Sequence, residues 1–328
     1  MYATKAPAAL VPGLLLGLSF FLPACGAGER DGEDGGPPET SPGAEAFPGD
    51  PAHATRVLRP REGTERDWII FREKTEAYWA EGLDTLPMGE SMVRIGLSFV
   101  GTPYEPGTLE LAGEEAVVVN LEAMDCVTFV ENVLALTRFI RAADPGILQS
   151  DLDMRNLYRG LLREIRYRGG RVRGYPSRLH YFSEWIRDNE EKGLVREVTR
   201  ELGGVEDGRA IDFMSSHPEA YRQLGNPANL EAIREAEVRL SRAVRYRIPQ
   251  EEIPTWSQWI ENGDIIAATS TVEGLDVAHT GLAYWQGDVL HLLHAPLVGE
   301  AVEVSDLPLA ERVLRLEGQD GIRVVRPQ

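Results

Sequence analysis

Cysteine is almost missing from this sequence. Only Cys25 and Cys126 occur among 328 residues, so no disulfide framework holds the fold. Basic residues are outnumbered. The 34 Lys and Arg face 52 Asp and Glu, a formal charge of −18. Such a surface repels polyanions and argues against a nucleic-acid partner. Histidine occurs six times, and no His-Glu-x-x-His string is present. The helical zinc-hydrolase arrangement is therefore lacking, and neither a metal nor another cofactor is expected. There is no internal repeat. The N-terminal apolar run, residues 8–22, is broken by Pro12, Gly13, Gly17 and Ser19. It falls short of the roughly 20 apolar residues that a spanning helix needs.

That run follows Lys5, the one charge before Glu29, and reads as the core of a secretory signal. Leu22-Pro23-Ala24-Cys25-Gly26 resembles a lipobox, in which Cys25 becomes the lipidated first residue of the mature chain. Acyl chains anchor a protein to a membrane without spanning it. Gly26, where Asp would retain the protein at the inner membrane, resembles an outer-membrane sorting signal. The expected product is an exported lipoprotein at the periplasmic face of the outer membrane. Residues 26–54 hold seven glycines, five prolines and seven acidic residues, with Phe47 the one large apolar side chain. This composition predicts a flexible tether. The expected organisation is thus a signal over 1–25, an acidic linker over 26–55 and one domain over 56–328.

Within that domain, Trp68, Ile69, Phe71, Tyr78 and Trp79 recur at helical spacing over residues 56–89. Met92, Ile95, Gly96 and Phe99 predict a second short helix, and Pro103 and Pro106-Gly107 a loop. Residues 117–120 read as extended. The clearest helix opens at Asp125-Cys126 and runs to Asp144-Pro145-Gly146. Val130, Val133, Leu134, Leu136, Phe139 and Ile140 make it apolar on most sides, the mark of a buried helix. Asp125 suits its N-cap. Residues 150–250 read as helix and loop, with a helical insertion placed at about 187–250. Residues 264–269, 277–285, 289–294 and 300–304 read as strands, with Gln286-Gly287-Asp288 as a hairpin turn. Helices followed by an antiparallel sheet make an α+β fold.

Two features carry chemistry. A thiol at a helix N-terminus meets backbone N–H groups that lower its pKa and can hold an oxyanion. Cys126 stands there, one residue after the cap. A base is also needed, and His279 and His294 fall on neighbouring predicted strands, where one histidine can take the thiol proton and the other orient it. His291, three residues earlier on its strand, would face the opposite side.

Asp125-Cys126, Gly263-Asp264-Ile265-Ile266, His279-Thr280-Gly281-Leu282-Ala283-Tyr284 and Leu293-His294-Ala295, in that order, resemble the NlpC-type cell-wall cysteine hydrolases, a papain-like clan. The strings at residues 101–109, 125–132 and 177–186 resemble, more specifically, its N-acetylmuramoyl-L-alanine amidase-like branch, long catalogued as a domain of unknown function. The resemblance spans about residues 68 to 304. It implies a papain-like core with Cys126 as nucleophile, His279 as base and His294 as orienting residue. It also implies that Tyr104 and Asp125 line the substrate cleft and that Arg178, His180 and Tyr181 bind substrate. Val127 stands where the wider clan has a small residue, which favours the amidase branch over a γ-D-glutamyl endopeptidase. The expected substrate is peptidoglycan or a muropeptide. The other readings are a zinc hydrolase with His279, His291 and His294 as ligands, against which stands their strand context, and a non-catalytic wall-binding lipoprotein, against which stand Cys126, His279 and His294 together.

Overall fold

Capping chemistry sets where the first helices begin and end. The computed structural model describes residues 61–297 and 301–328. The expected signal segment, Cys25 and the whole acidic linker lie outside the described residues. Thr64 opens α1 (Glu65–Ala80) with a reciprocal capping box to Asp67. Gly82, at φ 70°, takes the left-handed conformation that ends it, and Pro87 precedes α2 (Met88–Leu97). The helical stretch expected over 56–89 is therefore shorter, ending at Ala80 before a 3₁₀ turn at Leu83–Thr85, and α2 is the second short helix expected around Met92 to Phe99. Gly96 on α2 is a close-contact position. A Cβ there would stand 2.8 Å from Leu293 and 3.2 Å from Leu282, so glycine lets α2 lie directly on the sheet.

Next comes α3 (Cys126–Ala142), with twelve of its 17 residues buried. α4 (Asp151–Arg166) packs across it. Phe71 of α1, Phe139 of α3 and Tyr158 of α4 meet edge to face or tilted, with centroids 4.6 to 6.4 Å apart. Two charges are buried in this layer. Arg166 Nε donates to Glu131 Oε2 at 2.6 Å, and its Nη1 donates to the Val118 carbonyl at 2.8 Å. Asn132 Nδ2 donates to the Asn120 carbonyl at 3.2 Å, and the Asp67 carboxylate accepts from Leu121 N–H at 2.7 Å. Side chains thus hold residues 117–121, which form no strand but whose carbonyls and amides need partners once buried.

After α5 (Phe182–Glu191) come β1 (Val195–Glu197), β2 (Val205–Glu206), α6 (Phe213–Ser216), α7 (Pro227–Arg242) and β3 (Tyr246–Pro249). The segment expected as a helical insertion, about 187–250, is therefore mixed. Its strands are two to four residues long, too short to show an alternating pattern in sequence. The chain then runs through α8 (Ile253–Trp256), β4 (Ile265–Ser270), β5 (Val277–Gln286), β6 (Val289–His294), β7 (Glu303–Val304), α9 (Leu309–Arg315) and β8 (Gln319–Pro327).

The strands form one sheet in the order β2-β3-β8-β4-β5-β6-β7, with β1 also on β8, and every pairing is antiparallel. Its centre is buried on both faces. Ile265, Ala267, Leu282 and Leu293 join the core of α1 to α5, while Ile266, Ala283, Leu292, Ile322 and Val324 pack with Leu309 and Val313 of α9. β8, which pairs with three other strands, carried no strand expectation. Arg323 and Arg326 interrupt its apolar run, and each is neutralised by a distant carboxylate: Arg323 by Glu197 at 2.9 Å, Arg326 by Asp264 at 2.8 Å. Among the described residues no helix is long and apolar enough to cross a membrane.

Candidate active site

Asp125 is the N-cap of α3. Its carboxylate accepts from Thr128 N–H at 2.8 Å, and Thr128 Oγ1 accepts from the Asp125 N–H at 2.9 Å. This box places Cys126 at the first helical position. The thiol is half-buried and unpaired. Three backbone N–H groups point at its sulfur, those of Thr280, Val127 and Cys126 itself. Thr280 belongs to β5, so the helix end meets the strand at the residue after His279. The helix terminus predicts a lowered thiol pKa, but the balance falls the other way. Burial, and after it the Asp125 carboxylate, push the thiol up to about 12 against the pull of the three N–H groups. The resting cysteine is a neutral thiol.

The sheet brings the two histidines together. Leu282 on β5 pairs with Leu293 on β6, and one step further Gly281 lies against His294: a Cβ on Gly281 would stand 2.8 Å from the His294 Cβ. His279, two residues from Gly281, shares its face, so the imidazoles are diagonal neighbours. His279 Nε2 and His294 Nδ1 are 2.8 Å apart, with the rings at 87°. His291 is directed elsewhere, its Nδ1 2.7 Å from the Ser305 carbonyl. Burial, and then the charge of Arg312, lower the His279 pKa to about 3. Burial, His279 and Arg312 together lower that of His294 further still. Both rings are neutral at physiological pH.

Two charged residues near this group escaped the sequence reading. His294 Nε2 is buried without a hydrogen-bond partner and stands 3.9 Å from Glu303 Oε1. Arg312, on α9, acts electrostatically on Cys126, His279, His294 and Glu303. Its Nη1 is buried and unpartnered. Glu303 comes next to His294 only through the β6–β7 pairing, and Arg312 only through the packing of α9 on the sheet. No spacing in the chain announces either.

The remaining expected residues divide. Tyr104 bridges in parallel to Met124, and its hydroxyl feels the charges of Cys126 and Asp125, so it borders the thiol. Arg178 lies further off and is paired with Glu110 at 2.5 Å and Glu115 at 3.4 Å. His180 Nε2 is 2.9 Å from the Tyr175 carbonyl. The Tyr181 hydroxyl donates to Glu237 at 2.6 Å and accepts from Met214 N–H at 2.8 Å. Among the described residues no group of three or more His, Cys, Asp or Glu is arranged to hold a metal ion.

A thiol at a helix N-terminus, a neutral imidazole on the adjoining strand and a second imidazole bonded to the first are the parts of nucleophilic acyl transfer. Residues 94–319, which include all of these, match the AmiA-like family, described as N-acetylmuramoyl-L-alanine amidase-like. The chain belongs to this amidase-like family. A crystal structure of an N-acetylmuramoyl-L-alanine amidase from Bacteroides uniformis is similar at 35% identity and a TM-score of 0.68, over 74% of this chain and 99% of that one. A structure named as a putative xylanase from Bacteroides fragilis is similar at 38% identity and a TM-score of 0.64, over 70% of this chain and 98% of that one. A Legionella pneumophila protein of the DUF1460 family shares the fold, at 20% identity and a TM-score of 0.57, over 78% of this chain and 93% of that one. No curated protein matches the sequence. Membership makes this amidase-like chain a hydrolase of the cell-wall kind, with a peptidoglycan-type substrate.

Proposed function

We propose that this protein hydrolyses the amide bond between the lactyl group of N-acetylmuramic acid and L-alanine, using Cys126 as nucleophile, His279 as base and His294 as the residue that orients it. The observation that carries the reading is the meeting of α3 and β5. There the Cys126 sulfur receives the Thr280 N–H while the adjacent His279 is bonded to His294. Such a site belongs to the papain-like type.

The thiol and both imidazoles are neutral at rest, so His279 removes the thiol proton as the sulfur attacks the lactyl carbonyl. The Cys126 N–H, at the helix end, faces the oxygen that gains charge. The imidazolium formed at His279 then protonates the departing L-alanine amine. Water, deprotonated by the same ring, releases the muramyl acid from the thioester. No cofactor enters these steps. Tyr104 and Asp125 border the reacting sulfur. Arg178, His180 and Tyr181 spend their polar atoms on Glu110, Tyr175 and Glu237, so in this reading they brace the surrounding segments and bind substrate only indirectly. A lipid at Cys25 would hold the enzyme at the periplasmic face of the outer membrane, beside the wall.

The test is mass spectrometry of defined muropeptides incubated with the protein and with Cys126→Ala. Peptide beginning at L-alanine, released by the parent alone, is the expected result. Cleavage after D-glutamate would replace the amidase reading with the endopeptidase one. Equal product from Cys126→Ala would remove the cysteine mechanism.

A further inference from the structure

Against a chain of net charge −18, residues 155–178 stand out, with eight arginines and one acidic residue, Glu164. Four of these arginines have carboxylate partners. Arg166 pairs with Glu131, Arg168 with Glu184 and Arg178 with Glu110, while Arg155 lies 3.7 Å from Glu65. The other four, Arg159, Arg163, Arg171 and Arg173, make no side-chain hydrogen bond or ion pair among the described residues, and Arg159 Nε is buried without a partner. These four line one connected depression. Arg159, Arg163 and Arg171 border a shallow groove of about 660 Å³, which continues past Gly169 and Arg171 into a second of about 640 Å³ bordered by Arg173. A Cβ on Gly169 or Gly174 would meet nothing within 4 Å, so the space above these glycines is open. The one carboxylate of the first groove, Glu115, is already occupied by the Tyr167 hydroxyl at 2.8 Å and by Arg178 at 3.4 Å.

None of Cys126, His279 and His294 lines this groove. It is joined to them by one stretch of chain. Thr108 reaches Asp125 at 3.4 Å, and residues 115–117, a few positions on, form the groove wall. We propose that the groove is a docking site for carboxylate-bearing peptide arms of the polymeric wall, separate from the strand being cut. The inference rests on the wall substrate proposed above. Its warrant is charge complementarity. Wall peptides carry free α- and terminal carboxylates, and a chain of net charge −18 is repelled by such a polymer except where it presents unpaired cations. Guanidinium groups receive carboxylates in a two-pronged geometry. Several weak contacts along one polymer add through effective concentration.

The experiment sediments the full chain, as Cys126→Ala to prevent digestion, with insoluble peptidoglycan. It compares this protein with the same chain carrying Arg159→Gln, Arg163→Gln, Arg171→Gln and Arg173→Gln, and with a four-lysine version that keeps the charge. The glutamine version is expected to bind about tenfold more weakly at low salt, the lysine version to fall between it and the parent because charge is kept but the two-pronged geometry is lost, and parent binding to fade as salt rises. On a small soluble muropeptide, with Cys126 restored, the glutamine version is expected to keep kcat/KM within about twofold, because one short arm gains nothing from a second docking site. Equal sedimentation of parent and glutamine versions would overturn the docking site while leaving the proposed reaction standing. Groove-dependent sedimentation without cleavage of any muropeptide would overturn the reaction and leave the docking site. Arginine-dependent binding to phosphatidylglycerol vesicles, with none to the wall, would overturn the assignment of the partner.

Discussion

His279 Nε2 lies 2.8 Å from His294 Nδ1, so one of these two nitrogens carries the shared hydrogen and the other accepts it. His279 can act as a base through Nδ1 only if its Nε2 holds the hydrogen and donates to His294. His294 then carries its own hydrogen on Nε2, which points toward Glu303, 3.9 Å away. Replacing His294 with Ala removes the acceptor and lets the His279 ring turn. We expect kcat to fall about 10²- to 10³-fold with KM little changed, since a misoriented base costs chemistry more than binding. His291→Ala, which loses only a bond to the Ser305 carbonyl, should stay within a few fold of the parent. Peptide release by both variants is the check, and equal losses would remove the distinction between the two histidines.

Gly281 is the position that lets β5 and β6 approach where the histidines meet. A methyl group there would stand 2.8 Å from both the His294 Cβ and the Leu293 carbonyl oxygen, so one strand must move. Gly281→Ala is expected to cost about 1–3 kcal/mol of stability by overpacking. It should lower kcat by more than that loss of folded protein explains. Thermal unfolding and single-turnover rates on the same preparation separate the two effects. Full activity in a destabilised variant would show that the spacing is not needed.

The thiol predicts a particular pH profile. Burial and Asp125 hold its pKa near 12, and the His279 pKa is lowered to about 3 by burial and Arg312. Between pH 6 and 9.5 the cysteine is therefore protonated and the histidine neutral, and the thiolate fraction rises about tenfold per pH unit. Alkylation by iodoacetamide without substrate should climb with that slope and show no plateau. A plateau below pH 8 would mean that a thiolate–imidazolium pair exists at rest.

The buried pair Glu131 and Arg166 ties α3, the helix that carries Cys126, to the end of α4. Each side chain is 2% exposed, and Arg166 also holds the Val118 carbonyl. Removing one partner leaves a charge without compensation, so Glu131→Ala should destabilise the fold by about 3–5 kcal/mol. Glu131→Met combined with Arg166→Met should cost less than Glu131→Ala alone. Chemical denaturation of the three proteins tests this order, and the double variant proving the weakest would refute it.

Much of the site-bearing structure was legible in the chain. The apolar residues around α3 and the Asp125 cap placed the cysteine at the start of a buried helix, and three late apolar runs placed β4, β5 and β6. The missed elements had physical reasons. β8 hides its strand character behind Arg323 and Arg326, whose carboxylate partners are Glu197 and Asp264. β1, β2 and β3 are too short to show a period. The helix expected over 56–89 stops at Ala80 because Gly82 is left-handed just beyond it, and the second helix starts only after Pro87.

Local chemistry by itself determined the cap at Asp125, the position of Cys126 in α3, the strand character of the histidine segments and the acidic charge of the chain. These depend on neighbours three or four residues away, within reach of a helical turn or a pleat. The tertiary structure decided which histidine His279 bonds, because the register of β5 on β6 sets it. It also decided that the thiol rests protonated, because burial is a property of the whole packed body and outweighs the few N–H groups at a helix end. Only packing, finally, brought Glu303 and Arg312 within reach of the site, through strand and helix contacts that no stretch of sequence contains.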